Sequence, residues 1–170
     1  MAGGETLVLK DVIRENFGLN RGDGGFVVLA PDVFSGRFIE KLPIEHDYDT
    51  ETDTAAGVPV LLSQPNVSTD KACLASQTRG GYMALKAATT HEAQNRGVAC
   101  YVAWYPHLQD PNAPEPMQVY RYATEVDQLQ IPVLIFIGDE EQYQRRRSIE
   151  TAVQSLAREV IQRVAARAVV

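Results

Sequence analysis

The segment Cys73-Leu74-Ala75-Ser76-Gln77-Thr78-Arg79-Gly80-Gly81-Tyr82 decides how this chain reads. Its first half is a short apolar run. Beyond Gly80-Gly81, the stretch Tyr82–Arg96 is rich in Ala, Met, Leu and Lys, which predicts a helix. Small residues, Ser76 and Gly80, stand two positions before and two after Thr78. This is the layout of a nucleophile elbow, a tight strand-to-helix turn that lifts its central side chain above a sheet. The following peptide N–H, that of Arg79, then faces a developing oxyanion. A plainer reading stands beside it, in which Thr78 is a helix cap.

Outward from this segment, five short apolar runs predict strands: Leu7–Ile13, Phe26–Ala30, Ala72–Ala75, Val98–Trp104 and Pro132–Ile137. Nearly continuous apolar runs suit a mostly parallel sheet covered on both faces. With the helix between the third and fourth runs, they form a βαβ unit. Thr54–Gln64 has helix-like content but carries Gly57 and Pro59, and stays ambiguous. The short Gly18–Gly25 connection leaves no room for a crossover helix. At the other end Ile149, Ala152, Val153, Leu156, Ala157, Val160, Ile161, Val164 and Ala168 recur with helical period. They predict a long amphipathic helix from about Arg146 to Ala168, with Ser148 near its start as a cap.

Composition bounds the function classes. At 170 residues, 45% apolar and 22% charged, the chain reads as one α/β domain, residues 1–170. Disordered, collagen-like and coiled-coil chains are excluded. The net charge is −6, but Arg145 to Val170 carries a local +4, so the first 144 residues carry −10. An acidic body argues against nucleic acid as partner. No run is long and apolar enough for a membrane span, and the N-terminal residues do not read as a secretory leader. Cys73 and Cys100 sit in apolar runs and read as buried thiols of a reducing compartment, hence a cytoplasmic protein. His46, His91 and His107 show no metal-ligand spacing, and His91 falls late in the predicted helix.

Five segments in order resemble the dienelactone hydrolase family of α/β-hydrolases. They are Glu15-Asn16-Phe17-Gly18-Leu19-Asn20, the strand and turn Gly25 to Arg37 with Pro31-Asp32-Val33-Phe34, and the lead-in Gln64 to Lys71. The elbow helix Arg79 to Leu85 and Pro132 to Glu141 complete the series. The resemblance implies a shortened α/β-hydrolase fold that hydrolyses small carboxylic esters or lactones without cofactor or metal. Carried over, the nucleophile falls on Thr78 and the acid on Glu141, with Asp139 as neighbour. The oxyanion donors fall on the backbone of Asn16 and Arg79, and Glu15, Tyr82 and Trp104 fall at the substrate. The family's histidine has no counterpart, since none follows His107. His107, after the fourth strand, is the surrogate base, and Trp104 and Tyr105 are weighed also as packing for that strand's end. The triad is therefore degenerate and its activity weak. Two other readings stay open: a non-catalytic remnant that binds or assembles, self-associating through the C-terminal helix, and a truncated hydrolase.

Overall fold

The computed structural model describes residues 27–31, 48–110, 113–114, 117, 121–141 and 143–167. Among these the elements are helix α1 (Tyr48–Leu62), strand β1 (Ala72–Gln77), helix α2 (Gly80–Ala88), strand β2 (Val98–Trp104), strand β3 (Val133–Phe136) and helix α3 (Tyr143–Arg167). The strands form a parallel sheet of order β1-β2-β3. The fold is thus a small mixed α/β arrangement with helices flanking a three-stranded parallel sheet.

Strand periodicity divides the residues between two faces. Leu74, Tyr101, Ala103, Val133 and Ile135 turn inward and pack with Ala84 or with Tyr82, Leu85 and Ala88 of α2. Leu85 is fully buried, which contributes about 2 kcal/mol. Ile149 and Ala152 of α3 are buried, and Ala152 and Leu156 join the same core beneath Val126 and Leu129. Val58 and Leu62 of α1 close the far end against Val98 and Ala93. The opposite face holds Cys73, Ala75, Val102, Trp104, Leu134 and Phe136. There Leu134 is 53% and Phe136 46% exposed. Continuous apolar runs predicted cover on both faces, but the described helices pack on one face alone.

Several expectations are corrected. The predicted helix Tyr82–Arg96 stops at Ala88, where the Thr89 hydroxyl donates back to the Leu85 carbonyl at 2.8 Å. Glu92 then takes a left-handed φ of 56°, so His91 lies past the helix rather than within it. Gly97, at φ 132°, starts the next strand, and its carbonyl accepts the Ala72 N–H at 2.8 Å. The ambiguous stretch is helical, with Pro59 inside α1. Residues 27–31 form no strand; the Leu29 and Pro31 side chains lie near Gly57 of α1, where a Cβ would meet them at 3.6 and 3.7 Å, ordinary contact distances. Leu7–Ile13 and the Gly18–Gly25 connection lie outside the described residues.

In α3 the outward residues include Val153 and Ala157, predicted for the apolar stripe, while Ser148 and Ser155 are buried instead. Ser148 lies inside the helix and is not its cap. Ser155 has a partner that explains its burial. Its hydroxyl donates to Asp127 Oδ1 at 2.6 Å, the Tyr122 hydroxyl reaches Asp127 Oδ2 at 3.0 Å, and the two hydroxyl oxygens are 2.7 Å apart. This closed ring pins α3 to the 3-10 turn Thr124–Gln128.

The cysteines are corrected too. Cys73 is exposed, Cys100 half-buried, and they are joined by a disulfide. Period two places both on the open face, and the ladder sets them side by side. The argument for a reducing compartment rested on free thiols and goes with them. No helix among the described residues is long and apolar enough to cross a membrane.

Candidate functional site

The register aligns Gln77, Trp104 and Phe136 across the sheet, so β1, β2 and β3 end on one edge. In parallel sheets this carboxyl edge is where ligands bind. Thr78 follows β1 there with φ 44°, in the left-handed region that β-branched residues avoid. Its N–H donates to the Trp104 carbonyl at 3.2 Å. Its own carbonyl accepts the Gly81 N–H at 2.9 Å and the His107 N–H at 2.7 Å. These bonds hold the chain in a sharp reversal before α2. Thr78 is not the helix cap, because that position belongs to Arg79, which makes no side-chain capping bond. On the neighbouring strand Tyr105 also has positive φ, 37°, and its N–H donates to the Phe136 carbonyl at 2.7 Å. Two strained non-glycine residues therefore stand side by side at this edge, and such strain clusters at functional sites.

Beneath the turn lies a tie that the sequence reading passed over. Tyr101, 1% exposed, bonds through its hydroxyl to the Gly81 carbonyl at 3.1 Å and to Ser76 Oγ at 2.7 Å. Since one phenol proton serves one acceptor, Tyr101 donates to Gly81 and Ser76 donates to Tyr101. Ser76 thus fills the first small position of the elbow with a group whose hydroxyl is satisfied. The available signal was a tyrosine within an apolar run, whose hydroxyl needs a partner once buried.

The other predicted residues fall as follows. His107 meets Thr78 through the backbone bond above. Trp104 stacks on Phe136 on the open face, with ring centres 5.4 Å apart. Tyr82, expected at the substrate, is 6% exposed and packs in the core with Leu85 and Leu108. Glu141 is half-buried beyond β3, its N–H closing a turn onto the Gly138 carbonyl at 3.2 Å; Asp139 is exposed, and its carbonyl accepts a bond from Arg146 at 2.9 Å. Glu15 and Asn16, and with them one oxyanion donor, lie outside the described residues, as does His46. Among the described residues no group of three or more His, Cys, Asp or Glu could hold a metal ion.

Charge gathers elsewhere. The Glu51 carboxylate, 5% exposed, faces Lys86 Nζ at 3.7 Å and His91 Nε2 at 3.6 Å, and Lys86 also reaches Glu125 at 3.3 Å. This cluster joins α1, α2 and the 3-10 turn, with the single Lys86 ammonium standing between the two carboxylates.

No family model, curated protein or solved structure matches the chain. The site is therefore read from its own geometry.

Burial holds the Tyr101 phenol well above its ordinary range, with the Ser76 bond opposing. Burial also raises Tyr82, helped by the charges of Glu125, Glu51 and Asp110. Above about pH 10 the unfolded chain releases protons that these two phenols keep in the folded state, so stability falls as pH rises past that point. Titration of phenolate absorbance is expected to leave Tyr82 and Tyr101 protonated at about pH 11 until the chain unfolds. Ordinary titration of Tyr101 in the folded Tyr82→Phe variant would contradict the Tyr101–Ser76–Gly81 tie.

Proposed function

We propose that this chain is a dienelactone hydrolase-like α/β-hydrolase with weak activity on small carboxylic esters or lactones. The observation that carries the reading is the left-handed Thr78 at the carboxyl edge, on a turn between β1 and α2. An elbow of this kind turns its central side chain outward, where an acyl carbon can reach it. In the proposed reaction Thr78 Oγ bonds to the carbonyl carbon while its proton passes to His107. The ester C–O bond then breaks and the leaving oxygen takes that proton. Water, deprotonated by the same group, attacks the acyl-threonine and restores the hydroxyl. The Arg79 N–H, with that of Asn16, stabilises the oxyanion, and Glu141 orients the base. The cofactor-free chemistry comes from the family resemblance.

The test is hydrolysis of a nitrophenyl acetate. Wild-type activity above background is expected to fall at least about tenfold in Thr78→Ala, with the circular dichroism unchanged. Equal rates in the two proteins would remove Thr78 as nucleophile. One observation favours the second reading, a remnant that binds or assembles: the open sheet face exposes Leu134 and Phe136. That reading leaves Thr78 substitutions without effect.

A further inference from the structure

The disulfide lies where exchange chemistry can reach it without unfolding the chain. Cys73 is exposed on β1 and Cys100 half-buried opposite it on β2, both on the face that the described helices leave open. Ala75 and Val102 are the next residues of the two strands on that face. The bond is one of several ties between these strands. The ladder pairs them from Ala72 to Gln77, Tyr101 and Ser76 are bonded on the covered face, and α2 packs across both. Breaking the disulfide therefore leaves the strands paired and the two sulfurs adjacent. A disulfide that is exposed and not required to hold its elements together is open to attack by a thiolate and able to re-form.

We propose that Cys73–Cys100 is a reversible thiol–disulfide exchange site for low-mass thiols, with Cys73 as the entry sulfur and Cys100 as the resolving thiol. A thiolate attacks Cys73 Sγ, forming a mixed disulfide and expelling Cys100 as thiolate. A second thiolate attacks the small-molecule sulfur of the mixed disulfide, releasing the small disulfide and the Cys73 thiolate. The chain gains two electrons and, after protonation, two thiols, while two small thiols become one disulfide. In reverse, the Cys73 thiolate attacks the small disulfide, and Cys100 then displaces the remaining small thiol from Cys73. Entry at Cys73 follows from its greater exposure, because access governs which sulfur reacts.

The test treats the full chain with reduced glutathione in buffer without denaturant, then alkylates and maps the thiols by peptide mass. Both thiols are expected to appear with the circular dichroism retained, and oxidised glutathione is expected to restore the bond. In Cys100→Ser, the remaining Cys73 should take up glutathione at least about tenfold faster than Cys100 does in Cys73→Ser. A disulfide that resists until denaturant is added, loss of structure on reduction, or equal uptake in the two variants would overturn the proposal. The wild-type measurement stands alone if either variant fails to fold.

Discussion

Gly81→Ala is expected to destabilise the chain by about 2–3 kcal/mol, although alanine is the better helix former. Two effects oppose each other. Within α2 the exchange contributes up to about 1 kcal/mol in favour of alanine. Against it, the new Cβ would stand 2.5 Å from Pro106 Cβ, 2.9 Å from Pro106 Cα and 3.0 Å from the His107 nitrogen. Two of these are backbone atoms, tied through the His107 N–H to the Thr78 carbonyl, so no side-chain rotation relieves them. The steric effect wins, and α2 must move off the loop after β2. Gly80→Ala is the control. Its Cβ meets only Ser76 Cβ, at an ordinary 3.5 Å, so stability should be unchanged or slightly raised. Urea unfolding of the three proteins separates these outcomes. A Gly81→Ala protein as stable as wild type would mean that the elbow does not rest on Pro106.

Thr78→Cys is expected to acylate at least about a hundredfold faster than wild type, giving a burst of one nitrophenolate per chain followed by slow turnover. The reason is intrinsic to the atoms. A hydroxyl needs a base to become nucleophilic, whereas a thiol near neutral pH already contains some thiolate. The site also contains the donors of a tight turn, whatever atom occupies its centre. Deacylation still requires activated water, so the thioester should accumulate and be visible by mass. The swap also removes a β-branch from a residue at φ 44°, which relieves crowding at the turn. Absence of a burst, with labelling of the new thiol no faster than in the unfolded chain, would sink the elbow as a reactive position.

What could be read in advance depended on how local the cause was. Val98–Trp104 was legible residue for residue, since a β-branched and aromatic run bounded by Gly97 and Pro106 admits little else. The turn at Thr78 was legible from its small flanking residues, but its positive φ was not, because that conformation is imposed by bonds from Trp104, Gly81 and His107. The helix overran to Arg96 in the reading because propensity does not register the left-handed Glu92. Apolar neighbours made Cys73 and Cys100 look buried. Only the alternation of faces, together with a helix layer on one side, brings them to the surface as a pair. Ser155 stands among the apolar residues of α3 and is satisfied by partners 28 and 33 residues away. Tertiary hydrogen bonds of this length leave no local trace.

The irregular register between Ala72 and Cys73 has a mechanical consequence. Cys73 pairs with Cys100 and Ala72 with Val98, so Ala99 is an extra residue in β2. Beyond it, Cys100 and Tyr101 point to opposite sides and each is fastened to β1, one by sulfur and one through Ser76. Sliding β2 by a single residue would exchange their sides, carrying the phenol out to water and the sulfur into the core. The two fastenings act as pins driven from opposite sides through one joint, and together they set the height at which Thr78 stands above the sheet. Reduction withdraws one pin and leaves the other, so the joint gains play without coming apart.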